Sequence, residues 1–397
     1  MAWNIGANDV ANAMGTSVGS GALSLKQAVL VAAFLEFFGA VLVGSHVART
    51  QRTEIVDPDL FMSNPDYLLW GMVAALVSSA IWITIATYFS MPISTTHSIV
   101  GAIMGFGIAA YGFSAIQVAG ISKIMLSWLI SPLAGAAIAY LIFILVRKKI
   151  LESDDPLQIT KKIVPPLVGL VFFIITLSAI YKGLKNLHLD LEIEQAISIA
   201  LIIGTIAMVI SFILLNKLKF KTRNPITKVE KIFAYLQIIS ACYVAFAHGA
   251  NDVGNAVAPF ATIIDIARTG KVGDMVEVPI WVLVLGGAGI TIGVMTWGKR
   301  VIKTIGEKIT DITPSRGFSA EFGAATTVLV FSKLGMPIST THTLVGGVIG
   351  VGIAGGVGAL DLRVIGKIII SWLITLPVAA LSTIATFYLI IHILGIS

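Results

Sequence analysis

Long uncharged apolar runs constrain this chain more than any other feature. "YLLWGMVAALVSSAIWITIATYF" (67–89) and "AISIALIIGTIAMVISFILL" (196–215) contain no acidic or basic residue. Each reaches the ~20 residues a helix needs to cross the hydrocarbon core of a bilayer. The chain as a whole is 56% hydrophobic and 12% charged, too little polar surface to cover a soluble domain of 397 residues. The expected fold class is therefore an all-α polytopic protein, multi-pass in a cell membrane (plasma or inner). Spans are expected near 1–22, 25–44, 67–89, 94–110, 122–146, 163–181, 193–215, 232–266, 278–297, 317–332, 338–356 and 364–394. Gly and Pro interrupt several of these, which makes the expectation about ten to twelve spans. The single cysteine, Cys242, excludes an intrachain disulfide and a thiolate metal cage. Met1 opens almost directly on the first polar motif, so no cleavable leader is expected.

Charge between the spans orients them. Segments 147–162, 216–231 and 298–316 each carry five or six Lys or Arg, whereas 45–66 carries two and is rich in acid. The positive-inside rule places the three basic loops in the cytoplasm, where they also suit anionic lipid headgroups. Counting spans outward from them puts both termini outside.

The chain repeats itself. "GANDVANA" (6–13) returns as "GANDVGNA" (249–256), "MPISTTH" (91–97) as the same seven residues at 336–342, and "KIMLSWLI" (123–130) as "KIIISWLI" (367–374). Order is kept, at offsets of 243, 245 and 244 residues. With the topology above, the first "GAND" enters its span from outside and the second from inside. The expected organisation is repeat one over 1–146, cytoplasmic loops with two linking spans over 147–231, and repeat two over 232–397. Inverted repeats with broken helices are a common plan of secondary transporters, with the binding site at the repeat interface near mid-membrane.

The motifs supply the chemistry. Asn8 and Asn12 share a helix face, with Asp9 beside them; Asn251, Asp252 and Asn255 repeat the pattern. A carboxylate in hydrocarbon is costly, and such residues face a cavity, an ion or a partner. Carboxylate and amide oxygens are hard donors, suited to Na⁺ or a proton and unsuited to a transition metal. In the second motif, Pro92 and Pro337 interrupt or start a helix, and Ser94, Thr95, Thr96 and Ser339, Thr340, Thr341 follow. Free N–H groups, the positive dipole end and hydroxyls together make an anion site. Neither motif contains Lys or Arg, so a bound anion must be neutralised by dipoles and co-bound cations, as in a cation-coupled symporter. Buried carboxylate acceptors favour an oxyanion that carries its own O–H donors, which selects phosphate over sulfate.

With these residues in place, the sequence resembles the inorganic phosphate transporter (PiT) family along essentially its whole length. The resemblance rests on "GANDVANA", "AHGANDVGNA", the paired "PISTTH" and "WGKRVIKTIGEKITDITPSRGFSAEFGAA" (297–325). It implies cation-coupled uptake of inorganic phosphate, with Na⁺ favoured and H⁺, including a metal-phosphate substrate, as the alternative. It also implies that Asp9 and Asp252 are essential, marks Glu36, Glu321 and His248, and points to a core that moves against a scaffold in a homodimer. The family has an apolar half-helix before the first "GAND", as repeat two has in "KIFAYLQIISACYVAFA" (231–247). Here only five residues precede Gly6.

The expected phosphate ligands are thus Asp9, Asn12, Ser94, Thr95, Thr96, Asp252, Asn255, Ser339, Thr340 and Thr341. The expected sodium ligands are Asn8, Asp9, Asn251, Asp252, Glu36, Glu321 and Gln237. Glu36 and Gln237 lie mid-span; Glu321 follows Arg316, so a structural ion pair competes with a site role. His97 and His342 are expected as neutral imidazoles bonded to backbone within a helix break, not as metal ligands. No cofactor and no nucleic-acid partner is expected. Another oxyanion transporter, a membrane-embedded hydrolase and a passive channel are the competing classes. Against a hydrolase, adjacent Thr and His on one helix point apart and no H-E-x-x-H occurs; Gly runs such as "GGVIGVGIAGGVG" suit alternating access better than a channel.

Overall fold

Backbone polar groups in hydrocarbon must be satisfied within their own segment, so uncharged runs of this length fold as helices. The computed structural model describes residues 1–44, 55–183, 191–220, 222–273, 278–333, 338–356 and 360–396. The helices are α1 (Ala2–Gly19), α2 (Leu25–Val43), α3 (Pro65–Tyr88), α4 (Thr95–Tyr111), α5 (Val118–Val146), α6 (Pro156–Gly183) and α7 (Ile193–Lys217). They continue as α8 (Pro225–Asp252), α9 (Gly254–Thr269), α10 (Ile280–Trp297), α11 (Lys299–Glu307), α12 (Pro314–Lys333), α13 (Thr340–Gly355) and α14 (Leu362–Leu394). Among the described residues, pairing outside helices is limited to two isolated bridges, Val56 with Ile116 and Thr310 with Leu360. Among the described residues, nine stretches are long and apolar enough to cross a membrane, one of them running through both α8 and α9. α13, at 16 residues, is a shorter apolar helix. α1 carries the polar first motif and is buried from Asn4 to Ser17.

The two halves exchange partners. α4 lies on α14 of the other half, and α13 lies on α5. At the first crossing Gly101 abuts Leu376 O; at the second Gly346 abuts Pro132 O. Likewise α1 runs along α10, with Gly6 against Ile290 O, and α8 runs along α2, with Gly249 against Glu36 O. A Cβ added at Gly6 or Gly249 would sit 1.9 or 2.1 Å from those carbonyl oxygens. Helix association in lipid gains little from the hydrophobic effect and relies on close backbone approach through small residues. The same matching makes Ile290 the counterpart of Glu36, so this carboxylate has no twin.

One segment departs from its sequence reading. Residues 298–316, expected as a basic loop, contain α11. Val301, Ile302 and Ile305 are buried, the latter two facing Gly15 of α1. Lys299, Arg300 and Lys303 lie on its outer side, and their charge disguises the helix. From this helix Arg300 donates to Tyr88 O (3.3 Å) and Thr304 to Ser90 O (2.9 Å). Both carbonyls belong to the end of α3, where Ser90 takes φ +58°. Pro337 lies outside the described residues.

Candidate functional site

The site forms where the middle of α1, the junction of α8 and α9 and the starts of α4 and α13 converge. Ser94 caps α4 by accepting from His97 N (3.2 Å), and Ser339 caps α13 by accepting from His342 N (3.3 Å). The two caps touch: Ser339 Oγ donates to Ser94 Oγ at 3.0 Å. Two helix N-termini, each with hydroxyls in its first turn, therefore start from one point. The "GAND" motifs close around them. Thr95 Oγ1 donates to Asp9 Oδ2 (2.6 Å) and Thr340 Oγ1 to Asp252 Oδ2 (3.3 Å), each within its own half. Asn12 donates to Thr341 (2.8 Å) and Asn255 to Thr96 (3.3 Å), each across to the other half.

The second motif sits at the junction of α8 and α9, and its preceding residue breaks the symmetry. His248 Nε2 lies 2.8 Å from Asp252 Oδ2 and 3.8 Å from Asp9 Oδ2, while Nδ1 lies 3.4 Å from Glu36 Oε2. These are ion-pair distances without hydrogen-bond alignment, and Asp9 Oδ1 and both Glu36 oxygens have no hydrogen-bond partner. Asp9, His248 and Asp252 offer ligand atoms within 4.8 Å of one another, compact enough for one cation. A cavity enclosing about 490 Å³ of empty space, its open mouth included, reaches this point; Asn12, His248, Asn251 and Thr340 line it.

Asn8 is a brace. Its amide donates to Thr87 Oγ1 (2.9 Å) and Met91 O (3.0 Å) and accepts from Ile93 N (3.2 Å), which holds the unwound chain leading into Ser94. Asn251 donates to Asp252 Oδ1 at 2.8 Å.

Glu321 and Gln237 lie apart, in a second polar cluster. Glu321 Oε1 accepts from Thr16 (2.5 Å), Ser17 (3.0 Å) and Gln237 (3.3 Å), and Ser240 donates to Oε2. Ser20 donates to Gln237 Oε1 at 2.6 Å. The structural ion pair with Arg316 does not form: Arg316 donates to Asp311 O at 2.8 Å and lies over the Phe143 ring. Thr16, Ser17, Ser20 and Ser240 escaped the sequence reading. The first three stand in "GTSVGS", directly after the first motif, which is the signal that could have found them.

This arrangement, paired halves that bring two capped helix starts and two acid–amide motifs to one point, defines an inverted-repeat membrane transporter rather than an enzyme. The model of the phosphate transporter family matches residues 5–383. The chain belongs to that family. It is 46% identical over 395 residues to a protein of Pyrococcus abyssi provisionally named a phosphate permease, covering 100% of this chain and 96% of the relative. It is 41% identical to inorganic phosphate transporter 2-1, chloroplastic, of Arabidopsis thaliana, over 98% of this chain and 70% of that one. A solved structure described as the sodium-dependent phosphate transporter superposes with a TM-score of 0.91 at 40% identity, covering 98% of this chain and 96% of the other.

Proposed function

We propose that this protein imports inorganic phosphate by Na⁺ symport through alternating access. The observation that carries the reading is the meeting of Ser94 and Ser339, which sets two helix N-termini side by side. Each contributes free N–H groups and positive dipole potential, the ordinary means of holding a phosphate without a cationic side chain. Ser94, Thr95, Thr96, Ser339, Thr340 and Thr341 donate to the anion. Asn12 and Asn255 hold the opposite half's threonines, and Asp9 and Asp252 accept from phosphate O–H groups. The charge is offset by Na⁺ on Asp9, Asp252, Asn251 and Glu36, with Asn8 bracing the unwound chain that leads into Ser94, and by a second Na⁺ on Glu321 and Gln237. The sodium dependence of the structural relative supports this choice of ion, as does the hardness of the oxygen donors.

His248 among three carboxylates favours a second reading, in which a proton replaces one sodium at the central site. We infer the remaining features from the same frame. The exchanged contacts support the division at 146 and 232. The exposed Leu201, Ile202, Ile206 and Ile210 of α7 suit a lipid boundary or a homodimer contact. Lys and Arg density supports cytoplasmic placement of 147–162, 216–231 and 298–316.

The test is uptake of radiolabelled phosphate into proteoliposomes under an imposed Na⁺ or H⁺ gradient, with Glu321→Gln in parallel. An inward Na⁺ gradient should drive concentrative uptake that excess sulfate does not inhibit. In Glu321→Gln the Na⁺ concentration for half-maximal uptake should rise about tenfold, the effect of weakening one charged contact. Uptake driven by a proton gradient and indifferent to Na⁺ would reject sodium coupling.

A further inference from the structure

Behind the two Ser caps, four rings, those of His97, His342 and Trp128 buried and that of Trp372 partly buried, form a column that ties the halves together. His97 lies tilted against Trp128 with centroids 3.5 Å apart, His97 meets His342 edge-on at 4.3 Å, and His342 stacks on Trp372 at 3.7 Å. Trp128 and Trp372 are the matched tryptophans of "SWLI" in α5 and α14. Each histidine also reaches across the repeat interface. His342 Nδ1 lies 3.3 Å from Trp128 O, and the His97 ring faces the backbone of Trp372. A carbonyl only accepts, so Nδ1 of His342 carries the proton.

The Trp128 carbonyl needs this donor. Its regular helical partner would be the N–H of residue 132, which is a proline inside α5. In α14 the residue four beyond Trp372 is Leu376, which has an N–H, and Pro377 falls one position later. His342 therefore fills a gap in the α5 ladder, whereas His97 adds a contact to an intact one. Both imidazoles sit in the first turn of the helix whose start carries the hydroxyls, three residues after its cap.

We propose that His97 and His342 are matched positioning residues, which hold the two hydroxyl-lined helix starts at one separation across the repeat axis, with His342 the stronger of the two. The inference rests on the phosphate-site reading above. It predicts that the starts of α4 and α13 move as one body, and that loosening the tie weakens phosphate binding before it slows turnover.

The experiment uses the full-length protein in proteoliposomes. His342→Phe keeps a stacking ring and removes the donor; its phosphate KM should rise about tenfold, the loss of one buried hydrogen bond, with Vmax per folded protein within about twofold. His97→Phe should show a smaller rise. His342→Asn keeps an N–H donor at the same reach and should return KM to near the wild-type value. His342→Phe combined with Pro132→Ala restores an N–H to Trp128 O and should leave KM raised. A wild-type KM in His342→Phe, an equal defect in His342→Asn, or full recovery of KM by Pro132→Ala would each overturn the proposal. A readout without phosphate separates its failure from that of the site reading. In Ser94→Cys/Ser339→Cys, disulfide formation read by polyethylene-glycol maleimide labelling of the denatured chain should be fast, and slowed severalfold by His342→Phe. Equal rates in both backgrounds refute a positioning role whatever the transported anion.

Discussion

Asp9→Asn and Asp252→Asn should each reduce phosphate uptake by about a hundredfold or more, while leaving the folded yield within about twofold. Each change removes a full charge and keeps nearly the same shape. Hydrogen bonds to a charged group are worth about 1.5–3 kcal/mol apiece, and two such contacts to phosphate or its cation account for the loss. The two sites should differ in character. Asp9 Oδ1 is buried without a hydrogen-bond partner, so the asparagine NH₂ can enter an acceptor's place and oppose a cation directly. Asp252 already accepts from Asn251 and Thr340 and lies beside His248, so its replacement also disturbs those neighbours. Initial uptake rates in proteoliposomes, normalised to protein recovered by size exclusion, decide the matter. Wild-type transport by either variant contradicts a direct role for that carboxylate.

Gly6→Ala and Gly249→Ala should produce the largest structural effects. In both, the new methyl carbon would lie about two ångströms from a backbone oxygen of the facing helix. A side chain could rotate away from such a clash, but a helix must shift as a whole. Overpacking of this kind costs roughly 3 kcal/mol or more. We expect loss of the monodisperse peak in detergent and a lower melting temperature, with Gly366→Ala, where a Cβ meets nothing within 4 Å, as the neutral control. A Gly249→Ala protein that melts like the control would show that α8 and α2 are not packed as described.

Much of this was legible from residue order. Uncharged runs forced helices, and three duplicated motifs in constant order announced two related halves. The central hydroxyls and carboxylates were nameable because ionisable and capping residues are rare in membrane spans and therefore conspicuous. The sequence concealed which half each helix would lean on. Nothing in "GIAAY" or "KIIISWLI" says that α4 packs on α14, since that depends on matching glycines far apart in the chain. Glu321 was visible, but its hydroxyl partners come from α1 and α8, and a lone Ser or Thr in a span is usually bonded to its own backbone. The amphipathic α11 read as a loop because its basic face dominates nine residues that are too few to register as a span.

The exchanged contacts carry an implication for ancestry. Crossings between the halves come in answering pairs, Gly101 on Leu376 with Gly346 on Pro132 and Gly6 on Ile290 with Gly249 on Glu36. Two copies of a single half-length ancestor, threaded into the bilayer in opposite directions, would meet through the same surfaces. On surfaces paired in this way, lone departures such as Glu36, His248 and Glu321 make the two sides unequal.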